Sequence, residues 1–352
     1  MTTLSTRRSG DRARPTMADV ARAAGVSLKT VSRVVNDEPG VHAETTLKVR
    51  AAIEQLHYRR NDGASLLRRG AATASIGLVL ENLADPFYSA VAAAVEQTAR
   101  LRGHLLLTGS GEADERRARD IALAFCARQV DGLIIVPAGE DHAWLQPEIE
   151  RGTPVVFVDR PASGCTADEV VVDNHGGIRQ AVSHLVSQGH RRIGFLGDDP
   201  DFWTARERRD AFRRAMAARR LSVRGLVAMG PHEHFALTDR LRTWLEEDDP
   251  VTALIAGNNR ISALLLRVLA ALGRRDLALV GFDDFELADV LDPPVTVVAQ
   301  DPHKIGQEAA AVLFARIEGA RGRPRHVVLP TRLVPRGSGE LPPWHRKAAS
   351  DR

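Results

Sequence analysis

Carboxylate, amide, guanidinium and aromatic side chains recur at the ends of short apolar runs of this sequence or within a few residues of them. They include Glu81, Asp85, Phe87, Tyr88, Asp159, Arg160, Asp198, Asn258, Asp283 and Gln300. Carboxylates and amides can pair with neighbouring hydroxyls, a guanidinium donates in a fork, and an aromatic ring covers the apolar face of a sugar. These are the groups that a polyhydroxylated small molecule requires. At any single position an Asp or Asn could equally be the N-cap of the next helix, and Asp173-Asn174 is expected to be such a cap.

Residues 28–33 offer a different chemistry, which is hydrogen-bond donation to a nucleic acid. The outer side of a predicted helix, LKTVSRVVN, carries donors that suit phosphates or base edges, namely Lys29, Thr30, Ser32 and Arg33. Residues 1–70 carry 13 basic and 7 acidic side chains, whereas residues 71–331 carry 30 and 36. Only four of the 48 cations are lysines, so part of the excess could reflect an arginine-rich genome. A basic head on an acidic body predicts contact with a polyanion.

Three short helices must present those donors. Thr16 is predicted to cap the first helix, MADVARAAG, and Gly25 suits the positive φ of the turn that follows. Ser27 is predicted to cap the second helix. The third helix spans about Ala43–His57 and is expected to pack through Leu47, Val49, Ile53 and Leu56. Two short helices joined through a glycine, with a third in support, favour a helix-turn-helix over a generic small bundle.

The run TMADVARAAGVSLKTVSRVVNDEPGVHAETTLKVRAAIEQLHYRRN closely resembles the head of the lactose-repressor (LacI/GalR) family of transcription regulators, and the similarity continues to LPTRLVPRGS at 329–338. The resemblance implies a dimer that reads a pseudo-palindromic operator in double-stranded DNA. Bases would be contacted by Leu28, Lys29 and Arg33, and phosphates by Thr30 and Ser32. The full set of expected DNA contacts in the head is Thr16, Ser27, Leu28, Lys29, Thr30, Ser32, Arg33 and Asn36.

Residues 61–73 fall where this family has a hinge helix that folds on the operator. The match of the N-x-x-A-x-x-L pattern implies that Asn61, Ala64 and Leu67 take its places, with Leu67 as the wedge in the minor groove. The sequence departs from the pattern at Arg60, where Pro is usual, and at Ser65, where Arg is common. We therefore expect a hinge that is disordered away from DNA. A plain basic linker is the alternative.

Short β-rich runs alternate with helical segments between residues 74 and 338, which predicts parallel sheets covered by helices on both faces. The runs are Ile76–Leu80, Leu105–Thr108, Gly132–Val136, Val155–Val158, Ile193–Leu196, Ala253–Ala256, Ala278–Phe282 and Val295–Ala299. They are too many for one sheet of ordinary size, so we expect an α/β body of two doubly wound lobes. Crossovers are expected near residues 173, 300 and 326. Ligands of such sheets bind beyond the carboxyl ends of the strands.

The family resemblance implies that this body is similar to periplasmic sugar-binding proteins, with a sugar or sugar derivative held between the lobes. The implied effector-binding residues are Phe87, Tyr88, Asp159, Arg160, Thr204, Arg208, Asn258, Asp283 and Gln300. The sequence departs from the family pattern at Asn259, where Asp is common, and at Ala211, where Gly is usual. Trp203 could either stack on a sugar ring or seal its lobe.

Several other classes are not expected. The sequence has no P-loop, no G-x-G-x-x-G after the first strand and no nucleophile elbow, so an enzyme is not predicted. Cys126 and Cys165 lack the pattern of a disulfide framework or a zinc site, and His232-Glu233-His234 is typical of a loop, so neither a metal nor a cofactor is predicted. No apolar run approaches the roughly 18–20 residues of a membrane span and the N-terminus lacks a secretion signal, which predicts a cytoplasmic protein without a membrane partner.

The ends of the chain bear on assembly. Residues 1–14 are expected to be a disordered basic arm, and residues 339–352 a disordered tail. The tail has one Leu, two adjacent prolines and no heptad, which predicts a homodimer and not a tetramer. Two alternatives stay open at this point. One is a solute-binding protein of a sugar transport system, which the body alone would suit, and the other is an activator in place of a repressor.

Overall fold

A computed structural model describes residues 15–58 and 73–344 of the 352-residue chain. The chain divides into two compact units, the head (Met1–Thr73) and the body (Ala74–Arg352). Several predictions lie outside the described residues. They concern the arm at 1–14, the hinge residues Asn61, Ala64 and Leu67, and the end of the tail at 345–352.

Three helices form the described head: α1 (Met17–Ala24), α2 (Leu28–Val35) and α3 (Ala43–Gln55). Both predicted caps are confirmed. Thr16 and Asp19 form a reciprocal capping box at α1, and the Ser27 hydroxyl accepts from the backbone N–H of Thr30 at 3.1 Å. Gly25 joins the first two helices with a φ of 67°, where a side chain would be strained. The core of the head consists of Val20, Ala21, Val31, Val34, Val49 and Ala52.

One packing residue of α3 was predicted wrongly. Leu47 is 68% exposed, whereas Val49 is fully buried and Ala52 lies beside it. The inward face of α3 runs through Val49, Ala52, Ile53 and Leu56 at helical spacing. Leu47 precedes Val49 by two residues, which turns its side chain about 200° away around the helix axis.

The body contains two lobes, each built on a six-stranded sheet. The first-lobe sheet has the order β11-β5-β4-β3-β1-β2 and is parallel throughout. Its strands are β1 (Ser75–Leu80), β2 (Leu105–Ser110), β3 (Leu133–Ile135), β4 (Val155–Val158), β5 (Asp168–Val172) and β11 (His326–Leu329). The second-lobe sheet has the order β12-β10-β9-β8-β6-β7 and is parallel except for β12. Its strands are β6 (Ile193–Gly197), β7 (Val227–Met229), β8 (Ala253–Ala256), β9 (Ala278–Phe282), β10 (Thr296–Ala299) and β12 (Arg332–Val334).

Helices cover both faces of each sheet. Those of the first lobe are α4 (Pro86–Leu101), α5 (Glu115–Ala127), α6 (Gln146–Glu150) and α11 (Pro302–Ile317). Those of the second lobe are α7 (Asn174–Ser187), α8 (Trp203–Ala217), α9 (His234–Glu246) and α10 (Asn259–Ala271). In the first lobe, α4 and α11 bury one face of the sheet and α5 the other. In the second lobe, α7 and α8 bury one face and α9 and α10 the other.

The chain passes between the lobes at residues 172–174, 299–302 and 329–332, between elements that belong to different sheets. The third crossing was predicted near residue 326, but it follows β11 and lies nearer to residue 330. The sequence runs did not predict β5, β7, β11 or β12. The strands β7 and β12 are three residues long and lie at sheet edges, so they bury few side chains and leave little pattern to read.

The predicted disorder from residue 339 onward is wrong for residues 339–344. Ser338–Glu340 form a short 3₁₀ helix, and the Leu341 carbonyl accepts from the His190 ring at 2.9 Å. The Trp344 indole donates to the Val251 carbonyl at 3.2 Å and packs on the core of the second lobe. The apolar side chains of Leu341 and Trp344 therefore anchor a segment whose prolines had suggested a free tail.

Candidate functional site

The outer surface of α2 carries the predicted DNA contacts of the head. Val31 and Val34 are buried and fix the helix against its neighbours, so the opposite side faces solvent. Leu28 is 54% exposed, and Lys29 is exposed beside it. An apolar side chain and donors on one exposed helix face can contact thymine methyl groups and base edges in a major groove.

The cations of the head differ in whether a carboxylate neutralises them. Arg22 pairs with Asp19 at 2.9 Å and Lys48 with Glu44 at 2.9 Å. Arg50 pairs with Asp37 at 3.4 Å. Among the described residues of the head, Lys29 and Arg33 are the cations for which no such pair is formed. Within residues 15–58, the two unpaired positive charges therefore both lie on α2.

The other predicted DNA contacts make local hydrogen bonds. The Thr16 hydroxyl donates to Asp19 at 2.7 Å, and hydrogen bonds from Thr16 lower the pKa of that carboxyl below its ordinary value. The hydroxyls of Ser27 and Thr30 lie 2.9 Å apart. The Asn36 amide donates to Ser32 at 3.4 Å and to Glu38 at 3.2 Å. These hydrogen bonds hold the starts of α1 and α2 and the end of α2 in place.

The nine predicted effector-binding residues line one cleft between the lobes, at the carboxyl ends of the strands. They are Phe87, Tyr88, Asp159, Arg160, Thr204, Arg208, Asn258, Asp283 and Gln300. The structure adds lining residues outside that prediction, chiefly Glu81, Asp85, Asp198, Phe202, Asn259 and Arg260. The cleft has a cavity volume of only about 50 Å³, because its own side chains nearly fill it.

A buried cluster on the first lobe is centred on Arg160. Its guanidinium pairs with Glu81, donates to the Pro137 carbonyl at 3.0 Å and lies 3.4 Å from the Tyr88 hydroxyl. Burial opposes the charged form of Arg160, but Tyr88, Glu81 and Asp159 raise its pKa above the ordinary value. Burial and the nearby Asp159 hold the pKa of Tyr88 well above its usual range, so this hydroxyl remains a donor.

A second buried cluster is centred on Arg208 of α8. The guanidinium donates to Asn174 Oδ1 at 2.7 Å and to the Gly257 carbonyl at 2.7 Å, and it lies 3.5 Å from Asp283. It also stacks 3.8 Å from the centroid of the Phe282 ring. Its Nε and Nη1 donors are thus directed by residues of α7 and by the loops after β8 and β9, so the position of Arg208 depends on several elements of the second lobe.

Asp159 and Asp283 occupy equivalent places in the two lobes. Asp159 follows β4 and Asp283 follows β9, and each of these strands is third in the spatial order of its sheet. Both residues are buried in a left-handed conformation, with φ of 69° and 67°. A non-glycine residue there is strained, which is a feature of functional sites. Burial also raises the pKa of both carboxyls above the ordinary value, against the lowering effect of the neighbouring arginines.

Direct contacts join the lobes across the cleft. The Asn259 amide of α10 donates to Asp85 at 3.0 Å. The Arg160 guanidinium lies 4.8 Å from the centroid of the Phe202 ring. Arg260 pairs with Asp198 at 2.8 Å on its own lobe and lies 3.7 Å from Glu81 on the other. A ligand that enters must exchange some of these contacts for its own.

Some of these residues had a sequence signal and others had none. Glu81 and Asp198 directly follow strands, which is the signal that identified their neighbours, and Asp85 caps the helix after the first strand. Asp173 caps α7 as predicted, whereas Asn174 supports Arg208. Trp203 lies outside the cleft lining and faces an adjoining cavity.

Two further findings concern what the described part of the chain holds. Residues 15–58 and 73–344 group no His, Cys, Asp or Glu side chains in threes that could bind a metal ion, and the His232 ring donates to the Gly197 carbonyl at 2.8 Å. Over the same ranges, no helix is long and apolar enough to cross a bilayer.

A helix-turn-helix head followed by a two-lobed binding body defines a class of protein, the DNA-binding transcriptional regulators that carry a ligand-binding domain. Family models place both parts. Residues 16–61 match the bacterial regulatory proteins of the lacI family, and residues 182–339 match a periplasmic binding protein-like domain. The chain is 34% identical to the HTH-type transcriptional regulator CelR of Thermobifida fusca, over 93% of this chain and 99% of the relative. It is 31% identical to the ribose operon repressor of Escherichia coli K12, over 92% and 99%.

Solved structures agree with these matches. The lac repressor dimer bound to operator and the anti-inducer ONPF has a TM-score of 0.79 and 26% identity, covering 93% of this chain and 99% of that one. A CelR–cellobiose complex has a TM-score of 0.68 and 32% identity, covering 92% and 100%. The chain therefore belongs to the LacI family and is a DNA-binding transcriptional regulator. The alternative of a transport protein finds no support among these relatives.

Proposed function

We propose that this regulator is a cytoplasmic repressor that binds a pseudo-palindromic operator as a homodimer and that an uncharged carbohydrate in the cleft controls its affinity for DNA. The observation that carries the proposal is the convergence of the nine predicted effector-binding residues on one cleft between the lobes. A relative is named for the ribose operon and another was solved with cellobiose, which supports a carbohydrate as the effector.

The DNA half of the proposal rests on α2. Its exposed Leu28 and its unpaired Lys29 and Arg33 supply base contacts, and the neighbouring hydroxyls of Thr30 and Ser32 supply phosphate contacts. One such helix reads a half-site, so a two-fold dimer reads a palindrome. The hinge pattern of Asn61, Ala64 and Leu67 adds a wedge in the minor groove, with Leu67 as the inserted side chain.

The charges of the cleft favour a neutral effector. Its described lining includes the carboxylates Glu81, Asp85, Asp159, Asp198 and Asp283 and the arginines Arg160, Arg208 and Arg260. Each of these arginines already lies against a carboxylate of the protein. A phosphate or carboxylate on the ligand would therefore enter without a counter-charge, which is costly away from water. Sugar hydroxyls can instead both donate to the carboxylates and accept from the guanidiniums.

Control of DNA binding follows from the contacts that cross the cleft. A sugar that replaces the Asn259–Asp85 hydrogen bond and the Arg260–Glu81 contact changes the free energy of lobe closure. A difference of about 1–3 kcal/mol between the two arrangements is enough for allosteric control of operator affinity.

The test begins with selection of random duplex DNA by the purified full-length protein, followed by titration of the selected duplex at several salt concentrations. We expect a palindrome and a steep salt dependence, since many phosphate contacts release counterions. A carbohydrate panel is then screened for a change in operator affinity. The direction of that change distinguishes release from recruitment. Selection of a sequence without two-fold symmetry would contradict operator binding by a two-fold dimer.

Arg208→Ala tests the cleft. The variant should lose the carbohydrate response and keep operator binding in the absence of carbohydrate, because Arg208 forms hydrogen bonds and an ion pair with Asn174, Gly257 and Asp283 of the second lobe. Arg242→Ala is the matched control, since Arg242 is an exposed arginine of the same lobe paired with Asp239. If carbohydrate still changed the operator affinity of Arg208→Ala as it does for the wild type, the cleft would not be the effector site.

A further inference from the structure

A second cavity adjoins the cleft beside the loops that follow β3 and β4. We call it the side chamber, and it is lined by Glu140, His142, Arg160, Phe202, Trp203 and Arg206 among others. Its cavity volume is about 350 Å³, against about 50 Å³ for the cleft. That volume lies in the range of roughly 300–1,000 Å³ typical of small-molecule pockets. Arg160 and Phe202 line both spaces, so the two spaces meet at these side chains.

The side chamber is bounded at both ends by contacts between the lobes. At the inner end, the Arg160 guanidinium of the first lobe lies 4.8 Å from the Phe202 ring of the second. At the outer end, Arg206 of α8 pairs with Glu140 of the first lobe at 3.1 Å. Glu140 is 77% exposed, which marks the mouth of the chamber. A ligand lying in the chamber would therefore touch both lobes, as a ligand in the cleft does.

The walls combine aromatic rings with a polar rim. Phe202 caps the start of α8 and Trp203 is its first residue, so two adjacent rings belong to one rigid helix end. Asp201 and Glu140 add carboxylates at the edge. Aromatic faces with a few polar groups around them suit a sugar ring, whose two faces are apolar and whose rim carries hydroxyls.

Two titratable side chains of the chamber, Arg206 and His142, already have partners within the protein. Arg206 donates to the Pro200 and Asp201 carbonyls at 2.9 Å in addition to its pair with Glu140. Both ring nitrogens of His142 have backbone partners, at Ala138 and Ser163, and burial lowers the pKa of this side chain, which favours its neutral form. Both arginines of the described chamber lining, Arg160 and Arg206, already pair with a carboxylate of the protein, so a neutral ligand is favoured here too.

We propose that the side chamber receives a second sugar ring, so that the effector is a disaccharide or a longer oligosaccharide. One ring occupies the cleft and the next lies against Trp203, with the glycosidic bond passing Arg160 and Phe202. The inference rests on the proposed carbohydrate effector, because a ring in the chamber is useful only when its neighbour is held in the cleft.

The experiment is calorimetric titration of the full-length protein with matched sets of neutral sugars: glucose with cellobiose, maltose and trehalose, galactose with lactose and melibiose, and xylose with xylobiose. We expect at least one disaccharide to bind about tenfold or more tightly than either component monosaccharide, since a stacked ring contributes on the order of one such factor. Monosaccharides that bind as tightly as every disaccharide would overturn the proposal. Absence of binding by the whole panel would contradict the carbohydrate effector itself, which is a different failure.

Three variants locate the second ring. Trp203→Ala should remove the advantage of the disaccharide and leave the monosaccharide affinity unchanged, whereas Trp203→Phe should keep most of that advantage. Phe235→Ala is the matched control, because Phe235 is an exposed aromatic residue in the first turn of another helix of the same lobe. Equal losses for monosaccharide and disaccharide in Trp203→Ala would show that Trp203 acts through the cleft, and the side chamber would then not be a subsite.

Discussion

The outer surface of α2 and the cleft of the body both contain basic side chains, but these side chains differ in solvent exposure and in pairing with carboxylates. On α2, Lys29 and Arg33 are accessible to solvent and have no carboxylate partner among the described residues. In the cleft, Arg160 and Arg208 are buried and each lies against a carboxylate of the protein. The difference suits the partners, because a polyanion brings its own counter-charge and a sugar brings none.

Desolvation explains why the two arrangements are not interchangeable. An exposed cation stays hydrated until DNA arrives, and binding then releases counterions from the phosphates. A buried cation must be neutralised within the protein, since an unpaired charge away from water is expensive. Without their carboxylates, the arginines of the cleft would be unpaired buried charges, and a neutral ligand brings no counter-charge to stabilise them.

The largest effect should come from breaking a buried pair. Arg160→Met removes the buried cation that lies between Glu81 and Asp159, leaves Glu81 with Arg260 at 3.7 Å, and removes the hydrogen bond to the Pro137 carbonyl. We expect the free energy of unfolding of the body to fall by about 3–5 kcal/mol, the usual consequence of removing one partner of a buried pair. Urea unfolding followed by tryptophan fluorescence measures it.

Arg242→Met supplies the control for that measurement. Arg242 and Asp239 form an exposed pair one turn apart on α9, which contributes no more than about 1 kcal/mol. An equally small change in the free energy of unfolding for Arg160→Met and Arg242→Met would mean that the buried arginine pairs of the cleft contribute no more than exposed pairs. The contrast between the two regions would then fail.

An intermediate effect is expected from Lys29→Ala and Arg33→Ala. Each variant should lose about 1–3 kcal/mol of operator binding if its side chain contacts a base, which is about a 5-fold to 150-fold change in Kd. Carbohydrate binding and the unfolding of the body should not change. Fluorescence anisotropy with the selected duplex measures the affinity at fixed salt.

Lys48→Ala is the comparison for these two variants, because Lys48 is an exposed cation of the head that pairs with Glu44. We expect a change of less than about threefold in Kd, since a paired surface charge contributes little. An equal loss in Lys48→Ala would mean that the head binds DNA through its overall charge and not through α2.

The same contrast explains how much the sequence could predict. The helix ends of the head are determined by residues close in sequence. The capping residues Thr16 and Ser27 and the turn at Gly25 could therefore be predicted from a few neighbouring residues. The apolar pattern of α3 was less informative, because Leu47 and Val49 are equally apolar and only packing decides which of them is buried. Local chemistry thus identifies helices more reliably than it identifies their inward faces.

The cleft depends on contacts between distant segments. Its strand-end residues, such as Asp159 and Asp283, were predictable because parallel strands bring their carboxyl ends to one edge. The role of Asn174 was not, since it supports Arg208 of another helix, and that of Arg260 was not, since it reaches Asp198 and Glu81. Residues that position another side chain carry no spacing pattern of their own.

The smallest effect is expected from Asp159→Asn, and its sign depends on pH. Burial raises the pKa of Asp159, so the folded body holds this proton to a higher pH than the unfolded chain does. The stabilising contribution of the protonated carboxyl is present below the unfolded value of 3.8 and is lost as the pH rises through the raised folded value. The wild type should therefore lose free energy of unfolding relative to Asp159→Asn over that rise. Arg160 keeps Glu81 as its partner, which limits the difference.

Urea unfolding of both proteins between about pH 3 and pH 7 measures this difference. Asp210→Asn is the control with the opposite sign, because hydrogen bonds from Arg209 lower the pKa of Asp210 and its contribution is lost as the pH falls. A difference for Asp159 that has the sign of Asp210 would mean that Arg160 and Arg208 outweigh burial. The cleft would then stabilise bare carboxylates and attract cationic ligands, and the argument for a neutral sugar would have to give way to one for an amino sugar.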